Sequence, residues 1–172
     1  IKAANDLIKK RGINPEEIEL VIVATATPDM KAASTAAFTA TQIGAINAFS
    51  FDLEAACSSF LFGMSTAAKY IESGRYKNVL LIGADKNSSF INYEDRATCI
   101  IFGDGAGAVL FEPNEEGQGL QDEYLRSDGS GREFLQATYG GSSYPITQEA
   151  LEDKKHFVFQ DGKTVFKNAV FN

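Results

Sequence analysis

The sequence predicts a layered α/β fold with a mixed sheet, and three observations carry that expectation. Segments of helical period alternate with short continuous apolar runs in the order helix, strand, helix, strand, helix, strand, which implies a sheet with crossover connections. The alternation then stops. Two apolar runs follow one another across Gly103-Asp104-Gly105, which adds a hairpin and makes the sheet mixed. Fifteen glycines among 172 residues, 44% of them hydrophobic, suit tight turns around a real core, so one globular domain over 1–172 is expected.

Taken in order, Ile1, Ala4, Leu7 and Ile8 form a helical stripe that stops at Gly12. Asn14-Pro15-Glu16-Glu17 has a capping residue, a proline at the first helical position and an acid where a capping box needs one. Leu20 to Ala24 is uninterrupted and apolar, which predicts a strand buried on both faces. Ser34 caps a helix expected to reach Ile43, with Gly44 as its stop. Ala48 to Leu53 is the next strand. A helix follows to Ser73, with Phe60, Met64, Ala67, Ala68 and Ile71 on one stripe and Gly74 behind it. Asn78 to Gly83 is another buried strand.

Thr98 to Phe102 and Ala106 to Phe111 read as the two arms of the hairpin, and Leu120 to Arg126 as a surface strand. From Ser127 to Glu152 the chain is rich in Gly, Ser, Asp and Thr without periodicity, which predicts a long ordered loop. His156 to Gln160 is a last strand. A helical stripe of Val165, Phe166, Ala169 and Val170 closes the sequence. Both ends fall inside helical patterns, so a piece of a longer protein is expected.

Charge and composition narrow the function. A net charge of −7 argues against a nucleic-acid or anionic-membrane surface, which would need a basic face. No apolar run is long enough to span a bilayer. No Cys/His grouping has metal spacing, so no metal is expected, and the single histidine, His156, reads as structural or surface. Cys57 and Cys99 do not suggest a disulfide framework, which makes a cytoplasmic location the expectation. Gly103-Asp104-Gly105-Ala106-Gly107 resembles a dinucleotide loop but lacks the third glycine and precedes a strand rather than a helix. Close backbone packing at the hairpin is the expected role instead.

Cys57 is the candidate nucleophile. It ends an apolar strand and directly precedes a helix, where unpaired N–H groups and the positive helix end favour the thiolate. The same strand-to-helix mechanics present the serine of hydrolases. The competing reading is a buried structural thiol.

Asp52-Leu53-Glu54-Ala55-Ala56-Cys57-Ser58-Ser59-Phe60 resembles the nucleophile motif of the β-ketoacyl-acyl carrier protein synthase III family. Asp95-Arg96-Ala97-Thr98-Cys99-Ile100-Ile101-Phe102-Gly103-Asp104-Gly105-Ala106-Gly107-Ala108 is similar to its second signature. Ser127-Asp128-Gly129-Ser130-Gly131 and Asp161-Gly162-Lys163-Thr164-Val165-Phe166-Lys167 resemble two further landmarks, and all four stand in family order. The resemblance implies the thiolase fold, a layered α/β/α sandwich built from two related halves, of which this chain resembles most of the N-terminal one.

It also implies a chemistry. Cys57 would take an acyl group from a short acyl-CoA. Malonyl-acyl carrier protein would then lose carbon dioxide and attack the acyl-enzyme, giving a 3-oxoacyl-acyl carrier protein and initiating fatty acid synthesis. Arg96 matches the arginine that lies against the coenzyme A adenine, where a guanidinium can stack and meet phosphate; an Asp95–Arg96 surface pair is the alternative. Phe102 and Asn87 match positions lining the acyl pocket, with Phe102 as plain core the alternative. The Cys57 N–H matches one oxyanion donor. No cofactor is implied beyond the coenzyme A thioester substrate, and a homodimer is implied, with the strand near Ala48–Leu53 at its interface.

The family's histidine and asparagine for the malonyl step, and its second oxyanion donor, come from segments with no counterpart here. The chain alone is therefore expected not to complete condensation. Ala32 and Ala33 stand where the family usually has Phe-Pro, which fits a wider pocket, a changed dimer contact or an altered sequence. A related acyltransferase with another acceptor, and a catalytically incomplete pairing module, remain open alternatives.

Overall fold

A computed structural model describes residues Ile1–Phe171. The chain forms two compact units: residues 1–85 with 105–125, and residues 86–104 with the chain from Arg126 onward.

The first unit opens with α1 (Lys2–Arg11), closed by Gly12 in the left-handed region at φ 71° with its N–H returned to the Ile8 carbonyl. A short 3-10 turn, Pro15–Glu17, starts at Asn14, whose side chain accepts from the Glu16 N–H at 3.2 Å. β1 (Leu20–Ala24) follows. α2 (Thr35–Ile43) starts at Ser34, whose hydroxyl accepts from the Ala37 N–H. β2 (Phe49–Leu53), α3 (Ser59–Glu72), β3 (Val79–Lys86) and β4 (Asp104–Phe111) complete it. The first six elements have the predicted order.

The strands lie in the order β2-β1-β3-β4 in a mixed sheet. β1 runs parallel to both neighbours, with Val21 opposite Ser50 on one side and Leu80 on the other. All five residues of β1 are buried, as an uninterrupted apolar strand requires. Its side chains alternate between two cores. Val21 and Val23, with Leu80 and Ile82, pack with Ala4, Ile8, Ala36, Ala40 and Ile43 of α1 and α2. Leu20, Ile22 and Ala24, with Val79 and Leu81, meet Ala67 and the half-buried Phe60, Met64 and Ile71 of α3. Helices on both faces make this a three-layer α/β/α arrangement. Each buried Val, Leu or Ile contributes about 1.5–3 kcal/mol.

The second unit contains β5 (Leu135–Ala137) antiparallel to β6 (Val158–Gln160), with Gln136 opposite Phe159. Between them lies α4 (Gln148–Glu152), whose Thr147 hydroxyl caps the Ala150 N–H at 3.1 Å. α5 (Gly162–Phe171) follows Asp161. The Asp161 carboxylate accepts from both the N–H and hydroxyl of Thr164, which holds it below its ordinary pKa. Ile91, Thr98, Ala150 and Val158 are buried. His156 serves packing: its ring stacks against Phe157 at 4.0 Å, and Nδ1 lies 3.5 Å from the Ala150 carbonyl.

Four expectations are corrected. Thr98 to Phe102 is a series of turns, because Asp95 accepts from the Ala97 N–H and the Thr98 hydroxyl and curls the chain there. Leu120 to Arg126 has no strand pairing; the segment is exposed apart from Leu120. Ser127 to Glu152 is not one loop, since β5 and α4 lie in it. Gly103, Gly105 and Gly107 are not sites of close packing, because a Cβ on any of them would meet nothing within 4 Å. No helix among the described residues is long and apolar enough to cross a membrane.

Candidate active site

The carboxyl ends of β1, β2 and β3 lie side by side, with Ala24 opposite both Leu53 and Gly83. In parallel α/β sheets this edge is where ligand crevices form. The loop leaving β1 is fixed there by Asp85, whose Oδ1 accepts from the Ala26 N–H at 2.9 Å and from the hydroxyls of Thr25 and Thr27. The Thr25 N–H donates to the Leu53 carbonyl.

Cys57 sits at this edge, in a single 3-10 turn, Ala56–Ser58, that runs straight into α3. Its side chain is exposed, which removes the buried-thiol reading. The residue before it, Ala56, has φ 48°. For a residue with a Cβ this left-handed conformation costs about 1 kcal/mol. The turn is held by hydrogen bonds on every side. Glu54 Oε1 accepts from the Ala56 N–H at 2.8 Å, and the Ser58 N–H donates to the Ala55 carbonyl. The buried Ser59 hydroxyl bonds to Ala55 and Ala56 together.

Asp52, five residues before Cys57, anchors the neighbouring helix. Its carboxylate accepts from the Thr35 N–H at 2.8 Å, the Ala36 N–H at 2.7 Å and the Ser34 hydroxyl at 3.3 Å. These are the orphan donors at the start of α2, so a charge on β2 completes the cap of a helix 16 residues upstream. Neither the Asp52 anchor nor the Ser59 bonds was foreseen. A capping serine at 34 was legible; which distant carboxylate would join it was not.

The other candidates lie in the second unit. Asn87 opens a 3-10 turn, Asn87–Ser89, and its Nδ2 donates to the Gly103 carbonyl at 2.8 Å. That bond brings Asn87 to the segment carrying the half-buried Phe102. Beside it, Asp104 accepts from the Ser88 N–H and hydroxyl, at 2.8 and 2.6 Å. Arg96 is exposed and makes no ion pair to Asp95 among the described residues, since Asp95 is engaged by Ala97 and Thr98. Asp95 and Ala97, on either side of Arg96, border a cavity of about 650 Å³ that Tyr139, Phe157 and Gln160 also line. The structure thus brings Asn87 and the Phe102 segment together, and Cys57 belongs to the other unit.

The two Ser88 hydrogen bonds hold the Asp104 carboxyl below its ordinary value of 3.8. A native pKa lowered in this way gives stability that is complete above 3.8 and is lost as pH falls through the native value. Thermal midpoints measured from pH 5 to pH 3 should fall less steeply for Asp104→Asn than for the wild type. Parallel curves would show that Asp104 contributes nothing to acid sensitivity.

Residues 51–129 match the family described as 3-oxoacyl-[acyl-carrier-protein (ACP)] synthase III, a range that holds Cys57, Asn87, Arg96 and Phe102. β-Ketoacyl-[acyl-carrier-protein] synthase III 2 of Bacteroides thetaiotaomicron is 53% identical over 169 residues, covering 98% of this chain and 50% of that protein. The crystal structure of the β-ketoacyl-[acyl carrier protein] synthase III of Thermus thermophilus superposes with a TM-score of 0.84 at 32% identity, over 98% of this chain and 51% of the other. The priming β-ketosynthase of the R1128 polyketide biosynthetic pathway gives 0.78 at 30% identity, over 95% and 48%. The chain spans about half the length of the curated relatives it matches.

Proposed function

Since the chain belongs to the 3-oxoacyl-[acyl-carrier-protein] synthase III family, we propose that Cys57 is its acyl-accepting nucleophile and that the whole protein initiates fatty acid synthesis. The observation that carries this is an exposed thiol on a strained turn between a parallel strand and a helix. The thiolate attacks the thioester carbonyl of a short acyl-CoA, and the carbon–sulfur bond to coenzyme A breaks as the new one to Cys57 forms. Malonyl-acyl carrier protein then loses carbon dioxide. The resulting carbanion attacks the acyl carbonyl, and the Cys57 sulfur leaves. The Cys57 N–H donates to the oxyanion.

Arg96 meets the coenzyme A moiety, and its exposure beside a cavity supports that role. Phe102 and Asn87 line the acyl pocket; the Asn87 bond to Gly103 would fix one wall of it. Coenzyme A enters as substrate, and no metal or resident cofactor takes part. The decarboxylation half of the reaction draws on residues outside this chain. β2 is an edge strand with Phe49 exposed on it, which supports a homodimer formed there by a second copy. The location proposed is the cytoplasm.

A second reading, the same acylation with a different acceptor, is favoured by the likeness to a priming β-ketosynthase of a polyketide pathway. Radiolabelled acetyl-CoA and malonyl-acyl carrier protein separate the readings when given to the whole protein. Label on the Cys57 peptide followed by 3-oxoacyl-carrier product supports fatty acid initiation. Label that malonyl-carrier protein cannot discharge supports the second reading. A folded sample that takes up no label is a pairing module without catalysis.

A further inference from the structure

We propose that Ser59 is a positioning residue for Cys57, holding Ala56 in its left-handed conformation so that the thiol and the N–H of Cys57 face the substrate side of the turn. This rests on the reading of Cys57 as the nucleophile.

Ser59 is the first residue of α3, and it is only 3% exposed. A serine at the start of a helix ordinarily caps the helix's own N–H groups. This one reaches backwards, as a helical Cβ directed to the N-terminus allows. Its Oγ accepts from the Ala55 N–H at 2.6 Å and donates to the Ala56 carbonyl at 2.7 Å. A hydroxyl has one proton and two lone pairs, so a single atom fills both roles. The two bonds clamp opposite ends of the Ala55-Ala56 segment. Between those ends lie the torsions that set the Cys57 peptide, including Ala55 at φ −150° and Ala56 at φ 48°.

Alanine stands at position 56 rather than glycine or asparagine, so the residue itself does not favour that conformation. Glu54 holds the Ala56 N–H, and Ser59 alone joins the Ala55 N–H to the Ala56 carbonyl. Without the clamp, Ala56 can relax to the right-handed region and rotate the following peptide. That would move the Cys57 N–H and redirect its sulfur. Displacements of about 1 Å at a reacting centre cost up to about 100-fold in rate.

The test uses the whole protein and two readouts, acetyl transfer from acetyl-CoA and iodoacetamide alkylation, with Cys99 as internal reference. Ser59→Ala should lower kcat for Cys57 acetylation by roughly tenfold or more with KM for acetyl-CoA little changed. It should slow alkylation of Cys57 and leave that of Cys99 as it was. In an Ala56→Gly background the penalty of Ser59→Ala should shrink, because glycine holds a positive φ without help. Ala56→Gly alone should raise the thermal midpoint.

Wild-type kcat in Ser59→Ala, or an equal penalty in both backgrounds, would overturn the proposal. Should Ser59→Ala fail to fold, the Ala56→Gly melt decides: a lowered midpoint refutes the clamp. Absence of acetylation in the wild type would instead defeat the nucleophile reading, while the alkylation rates still judge Ser59.

Discussion

Cys57→Ala is expected to abolish acetyl transfer from acetyl-CoA, by more than about 10³-fold in kcat, while leaving the fold intact. The two halves of that expectation have different causes. Catalysis fails because alanine offers no atom that can form a thioester. Cys57→Ser should fail nearly as fully, since a hydroxyl without a base beside it stays protonated at neutral pH and is a far weaker nucleophile. Stability survives because the side chain is exposed, and substitutions at exposed positions change stability within about 0.5 kcal/mol. Mass mapping after incubation with labelled acetyl-CoA checks the first expectation, and a thermal melt checks the second. Label retained by Cys57→Ala on another residue, Cys99 included, would refute the assignment.

Gly63→Val should cost the first unit about 3 kcal/mol. Gly63 lies on the face of α3 that rests on β3, and a Cβ there would stand 2.5 Å from Leu81 Cδ1 and 3.3 Å from Cδ2. Leu81 is fully buried and cannot swing away. Alanine is the gentler test, because its better helix propensity returns about 1 kcal/mol against the crowding. Valine adds two stiff methyl branches and returns less, so the steric term wins. At about 2–4 °C per kcal/mol for a chain of this size, the melt should fall by roughly 6–12 °C. Gly63→Val with Leu81→Ala should lose less than the sum of the two single changes, since each makes room for the other. A midpoint unchanged by Gly63→Val would mean that α3 does not approach β3 this closely.

What the sequence made legible was local and periodic. The stripe on α3, the serine at 34 and the glycines at 12 and 44 each announce themselves within one or two turns of chain, and all stand where expected. β1 and the first half of β3 were equally plain, because burial on both faces leaves uninterrupted Val, Leu and Ile. The run 98–102 misled because its apolar letters do not mark a buried strand: Ile100 and Ile101 are exposed, and the Asp95 side chain curls the chain into turns. β5 could not be seen because its partner β6 is more than twenty residues away. The Thr147 cap of α4 was visible and passed over. The place of Cys57 in a turn directly before α3 was legible too. The strain at Ala56 was not, since an alanine at positive φ leaves no mark in the letters.

The Asp52 anchor divides the molecule's tolerance for change. Upstream of it, residues 29–33 are exposed, with the Asp29 N–H donating to the Thr35 hydroxyl, and the helix behind them begins at a point pinned to β2. A change of length in that stretch meets the Asp52 anchor before it reaches β2. The carboxylate thus works as a firewall between that stretch and the strand that carries it.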